Sequence, residues 1–69
     1  MNWRSVSSSN IDSIAYDANL SALYVRFNSG TTYAYSGVPQ SEYNGLMSAA
    51  SHGSYLATYI KDRYPYRKL

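Results

Sequence analysis

The chain predicts an α+β domain: a three-stranded antiparallel β-meander followed by two α-helices packed on one face, in the order β-β-β-α-α. Three observations carry that expectation. Two runs of alternating character, Ala22–Phe27 and Thr31–Tyr35, meet across the glycine-ended loop Asn28-Ser-Gly30. After Pro39, apolar residues recur at helical spacing, with Tyr43, Leu46, Met47 and Ala50 at i, i+3, i+4 and i+7. Strands gathered at the front and helices at the back make an α+β arrangement rather than alternating βαβ units. With 69 residues there is room for one domain, residues 1–69, and no second. A chain of this size buries only roughly 60% of its unfolded surface, so its core must be thin.

The first strand runs from Ile11 to Tyr16, with Ile14 and Tyr16 on one face. Before it, Ser7-Ser-Ser-Asn10 is rich in side chains that bond local backbone groups, and Trp3 and Val6 are expected to tuck against the domain. Asp17-Ala-Asn19 is a turn. The second strand, Ala22 to Phe27, puts Leu23, Val25 and Phe27 on one face and Tyr24 and Arg26 on the other. The apolar trio is the buried side.

The loop then assigns Tyr33 and Tyr35. A type I turn closed by a left-handed glycine makes a three-residue hairpin loop, and Asn28-Ser-Gly30 has that form. It pairs Val25 with Tyr33 and Leu23 with Tyr35, and directly opposed residues share a face. Both tyrosines then belong to the core side. A two-residue loop at Ser29-Gly30 would shift the register by one and turn them outward beside Tyr24 and Arg26. The loop chemistry favours the inward register.

Ser36-Gly-Val-Pro39 ends the sheet, and proline suits the first turn of a helix. Glu42 falls where a carboxylate complements the helix dipole. Gly45 weakens the first helix but would permit close packing on the sheet. Gly53 is expected as a left-handed stop, and Ser54 as the cap of a second helix running to about Tyr64. Pro65 ends that helix and leaves Tyr66-Arg-Lys-Leu69 as a short tail.

The composition excludes more functions than it suggests. There is no cysteine, so neither a disulfide nor a thiolate metal site is available. His52 is the only histidine, and at a helix end it is expected to satisfy carbonyls rather than act as a base. The four carboxylates are scattered, no glycine loop could cradle a phosphate, and no ligand cluster suggests a metal. The expectation is a protein with no catalytic residues, no cofactor and no metal. No apolar run approaches the roughly 20 residues of a membrane span, and the N-terminus does not resemble a secretion signal, so a soluble, cytoplasmic protein is expected.

The chain has nine tyrosines, and its net charge of +2 is unevenly placed. Lys61, Arg63, Arg67 and Lys68 against Asp62 leave the last nine residues at +3 and everything before them at −1. Tyr24 and Arg26 on the outer sheet face, with Lys61, Arg63, Arg67 and Lys68 in the tail, form the candidate binding surface. Aromatic rings interleaved with cations suit unpaired bases and their phosphates, and so RNA or another single strand. The same residue types dominate protein–protein hot spots, so an adaptor or inhibitor of a protein partner is the alternative. Self-association through an exposed sheet edge is a third.

The ordered set Val6, Ser8-Ser-Asn-Ile11, Ile14, Tyr16-Asp17, Leu23-x-Val25-x-Phe27, Gly30, Tyr33-x-Tyr35, Val38-Pro39, Tyr43, Leu46, Ala49, Ser51-x-Gly53-x-Tyr55, Ile60 and Tyr64 resembles the KTSC domain family. That family is named for a C-terminal extension of some lysyl-tRNA synthetases and also occurs as small stand-alone bacterial proteins. The resemblance spans nearly the whole chain, and its central Tyr-x-Tyr motif corresponds to Tyr33 and Tyr35. The family has no established activity, and the resemblance implies RNA binding only through the synthetase context in which the domain occurs. This chain departs from the family pattern at Ala15, where glycine is common, and at Leu56-Ala57, where an aromatic–asparagine pair is usual. The sequence contains nothing of a synthetase catalytic domain, so aminoacylation is not expected.

Overall fold

A computed structural model describes all of residues 1–69, and its sheet has five strands rather than the expected three. The strands are β1 (Arg4–Ser5), β2 (Ile11–Asp17), β3 (Ala22–Phe27), β4 (Thr32–Tyr35) and β5 (Tyr66–Lys68), antiparallel throughout and in sequence order. Helix α1 (Gln40–Ser48) and helix α2 (His52–Tyr55) lie between β4 and β5, and α2 continues into a π-helical turn at Leu56–Ile60. Both helical segments pack on one face of the sheet, as expected. The two extra strands are edge strands of two and three residues, too short to show an alternating pattern of their own. They exist because the rims of the meander offer unpaired backbone groups. Val6 N–H donates to Asp12 at 3.1 Å on one rim, and Leu69 N–H to Thr32 at 2.9 Å on the other. The basic tail is therefore a strand of the domain, and it covers an edge that would otherwise be open.

The central hairpin has the register that its loop implies. Leu23 pairs with Tyr35 and Val25 with Tyr33, the Phe27 N–H donates to the Thr31 carbonyl at 2.8 Å, and Gly30 takes φ +94°. Tyr35 is buried at 3% exposure, and Tyr33 packs half-buried against the same core. In β2 a bulge at Asp12 shifts the register between Ile11 and Ser13. Strict alternation would put Ile11 and Ile14 on opposite faces. The extra residue lets both point inward, and both are fully buried.

The core is the layer between sheet and helices: Ile11, Ile14, Leu23, Val25 and Tyr35 below, Val38, Leu46, Leu56 and Ile60 above. Tyr16 ties the layers at one end. Its ring stacks on Tyr43 at 5.0 Å, and its hydroxyl donates to the Val38 carbonyl at 2.6 Å.

The helices differ from expectation in three details. Gly53 is not a stop but lies inside α2, whose cap is Ser51: its hydroxyl accepts the Ser54 N–H at 3.2 Å. A Cβ on Gly53 would sit 2.5 Å from Asn10 Oδ1, so the glycine admits the Asn10 side chain against the helix. Gly45 packs on Tyr55 of α2 and not on the sheet; an added Cβ would come within 2.8 Å of the Tyr55 Cζ. Finally, the second helix ends at Ile60 rather than near Tyr64, after a wide turn in which Lys61 N–H donates to the Leu56 carbonyl at 2.8 Å. No helix is long and apolar enough to cross a membrane.

Candidate functional site

The candidate residues do not form one patch, and the alternation of β5 is the reason. Tyr24 and Arg26 of β3 lie on the outer face, opposite the helices. Arg67 joins them, because it pairs with Ala34, which itself pairs with Tyr24. Tyr66 and Lys68, on either side of Arg67, pair with Tyr35 and Tyr33 and so belong to the helix side. Lys61 is also on the helix side, just after the π-helical turn, where it lines a groove with Tyr33, Tyr35 and Tyr66. Arg63 is exposed in the turn beyond it.

One residue missing from the sequence-based surface completes the outer face. Trp3 precedes β1 and lies over β3: the Arg26 guanidinium carbon sits 4.3 Å from its ring centroid, and the Tyr24 ring meets it edge-on at 6.4 Å. A cation over an indole face contributes about 0.5–1 kcal/mol at an exposed site. Beneath these large side chains the outer face carries small ones. Ser13, Ala15 and Ala34 are buried, and their in-register neighbours are Tyr24, Arg26 and Arg67. Small residues leave room for the larger side chains above them. Trp3 tucks against the domain as expected, but the face it covers was not legible, because that depends on a strand of two residues.

The carboxylate and histidine chemistry is structural in its geometry. Glu42 of α1 accepts the Tyr55 hydroxyl at 2.6 Å, and Tyr64 reaches its other oxygen at 3.5 Å. That hydrogen bond pushes the Tyr55 phenol up to about 12, with burial and the Glu42 charge adding to it. Burial, then Glu42, pushes the Tyr64 phenol up as well. Both phenols stay protonated near neutrality and clamp α1 to the segment that follows it. His52 Nδ1 lies 2.8 Å from the Leu46 carbonyl in the last turn of α1, the carbonyl-satisfying position expected of it. As the donor nitrogen in that bond, Nδ1 closes one of the orphan acceptors at a helix end.

Comparisons with known proteins agree with the fold and with the ordered residues of the sequence. The model of the KTSC domain matches residues 7–64. A protein of Tsukamurella paurometabola is 36% identical over 59 residues, covering 86% of this chain and 88% of its own length. The crystal structure of a KTSC domain protein from Yersinia pestis superposes with a TM-score of 0.95 at 38% identity, covering 99% of this chain and 96% of the other. The Tyr33-x-Tyr35 hairpin, the five-stranded sheet and its two helical segments are therefore those of a known domain type, and the chain belongs to the KTSC domain family.

Proposed function

We propose that the protein is a non-catalytic, cytoplasmic binding module that takes a single strand of nucleic acid on the outer face of its sheet. The observation that carries this reading is the stack of Arg26 on Trp3, with the Tyr24 ring beside it, on the face opposite both helices. Half-exposed rings such as Trp3 and Tyr24 on an open sheet face offer bases a stacking surface, at about 1–3 kcal/mol per base, and nearby guanidinium groups offer contacts to the phosphates. Arg26 and Arg67 are the cations on that face; Lys61 and Lys68 are on the other.

That division sets the size of the salt effect. Two phosphates neutralised by Arg26 and Arg67, at a slope of about −0.7 each, give a log–log slope near −1.4 for a short single strand. Recruitment of Lys61 and Lys68 as well would steepen it to about −2.8. Fluorescence titration of a labelled oligonucleotide between low and physiological salt measures the slope, and Trp3 emission reports the stacking directly. A flat salt response, or no binding at low salt, refutes the proposal. Tryptophan, tyrosine and arginine are also the commonest hot-spot residues of protein interfaces. Capture of a partner that survives nuclease treatment and is lost in Trp3→Ala would replace the nucleic-acid reading with a protein-binding one.

A further inference from the structure

Every tyrosine but Tyr24 lies on the helix side of the sheet; apart from Tyr43 and Tyr59, which stack on Tyr16 and Tyr55, they divide by what their hydroxyls do. Those of Tyr16, Tyr55 and Tyr64 are engaged, on Val38 and Glu42. Those of Tyr33, Tyr35 and Tyr66 have no partner within the chain. These three rings are contiguous: Tyr66 lies 5.1 Å from Tyr33 and 5.5 Å from Tyr35, and Phe27 lies 5.6 Å from Tyr33. All four line one groove between β3, β4 and β5 and the helical layer, with a volume of about 260 Å3.

Tyr35 is the informative member. It is 97% buried, and a buried hydroxyl without a partner is costly. No fully buried side-chain oxygen or nitrogen in this protein lacks a hydrogen-bond partner. The Tyr35 hydroxyl must therefore keep its contact with solvent, and the groove is the opening that Tyr35 lines. Burial, followed by the neighbouring Tyr66 and Tyr33 phenols, pushes the Tyr35 phenol above its ordinary range, which agrees with three hydroxyls placed near one another. Lys61 brings an ammonium group to the same groove from the far wall. Lys68 pairs with Tyr33 on the same face of the sheet, outside the lining of the groove. The far wall is the π-helical turn itself, a distortion that recurs at functional sites.

From this convergence we infer that the groove is a second binding site, separate from the outer face, for a phosphate monoester carried on a planar ring. Phenolic O–H groups donate to an oxyanion, and three of them with an ammonium match the three terminal oxygens of a phosphate monoester better than the two of a carboxylate. The rings of Phe27, Tyr33 and Tyr66 supply edges and faces for a flat apolar group. The volume falls just below the roughly 300–1,000 Å3 of drug-sized pockets, which suits a single nucleotide unit. The site is independent of the strand-binding proposal, since it uses none of Trp3, Tyr24, Arg26 or Arg67.

The test is a titration of the full-length chain with adenosine 5′-monophosphate, followed by amide chemical shifts, with adenosine and inorganic phosphate as controls. The nucleotide is expected to shift Phe27, Tyr33, Ala57, Lys61 and Tyr66 in a saturable manner, with adenosine at least tenfold weaker. Lys61→Gln and Tyr66→Phe, both at exposed positions, should each weaken binding about tenfold, the effect of removing one hydrogen bond to a charged group. Trp3→Ala should leave nucleotide binding unchanged while abolishing strand binding, so the two proposals fail separately. Two sources of the ligand are distinguished by an oligonucleotide with and without a 5′-phosphate. A phosphate-dependent gain that the nucleotide competes away identifies a strand terminus, and its absence identifies a free nucleotide. Equal binding of adenosine and its monophosphate, indifference to both substitutions, or shifts confined to the outer face would overturn the inference.

Discussion

Replacing Tyr35 by alanine removes a ring that is 3% exposed and sits in the cluster formed by Leu23, Val25, Leu46, Leu56 and Ile60. The loss combines the transfer energy of the ring with the cavity left behind, and aromatic truncations of this kind cost about 3–5 kcal/mol. A domain of this length has a total stability of roughly 3–10 kcal/mol at 0.05–0.15 kcal/mol per residue. Tyr35→Ala should therefore consume a large share of it and leave a protein close to unfolding at ambient temperature. Tyr35→Phe separates ring from hydroxyl. Because that hydroxyl has no partner within the chain, its removal should change stability by less than about 0.5 kcal/mol. The assay is urea denaturation followed by circular dichroism, with the slope m checked for constancy so that midpoints compare directly. Loss below about 0.5 kcal/mol in Tyr35→Ala would mean that the hairpin register is wrong by one residue. Loss above about 1.5 kcal/mol in Tyr35→Phe would mean that the hydroxyl has an intramolecular partner, and the argument for an open groove would fail with it.

Two further predictions concern the clamp between the helices. The Tyr55 phenol titrates near 12 in the folded chain against an ordinary value of 10.0, so the neutral form is favoured by folding. Its contribution is fully present below pH 10 and is lost as pH rises through about 12. Glu42→Gln should return the Tyr55 phenol toward the ordinary range in an absorbance titration at alkaline pH, with Tyr64 moving the same way because Glu42 also raises it; an unchanged titration would refute the assignment. Gly45→Ala gains up to about 1 kcal/mol in helix propensity but drives a methyl group into Tyr55. Displacing the Tyr55 hydroxyl from Glu42 forfeits a charge-assisted hydrogen bond, so the net effect should be destabilising, with the Tyr55 titration moving down in parallel. A stabilised Gly45→Ala variant in thermal denaturation would show that the contact relaxes without cost.

Local chemistry was readable wherever a few adjacent residues decide the geometry. Asn28-Ser-Gly30 set the hairpin register and with it the inward placement of Tyr33 and Tyr35, because a left-handed third residue selects one loop length. His52 was readable as a carbonyl partner because it lies just past the apolar stripe of α1. The second helix was less so. Ser51 and Ser54 are both competent caps, and Gly53 looks like a stop until Asn10, 43 residues earlier in the chain, occupies the space where a Cβ would be.

The sequence by itself determined the central hairpin, the side of it that is buried and the α+β class, all of which follow from alternation, helical spacing and turn chemistry along a continuous stretch. Tertiary structure alone decided the two edge strands and, through them, the distribution of the candidate site. Arg4–Ser5 and Tyr66–Lys68 are strands because a neighbouring rim supplies unpaired N–H and C=O groups, not because of any pattern in their own residues. Once Tyr66-Arg-Lys68 is a strand, its period of two sends Arg67 to the outer face with Trp3, Tyr24 and Arg26, and sends Tyr66 and Lys68 to the helix side, where Tyr66 joins Tyr33, Tyr35 and Lys61 in the groove. A tail that reads in one dimension as a single basic patch is thereby divided between two surfaces.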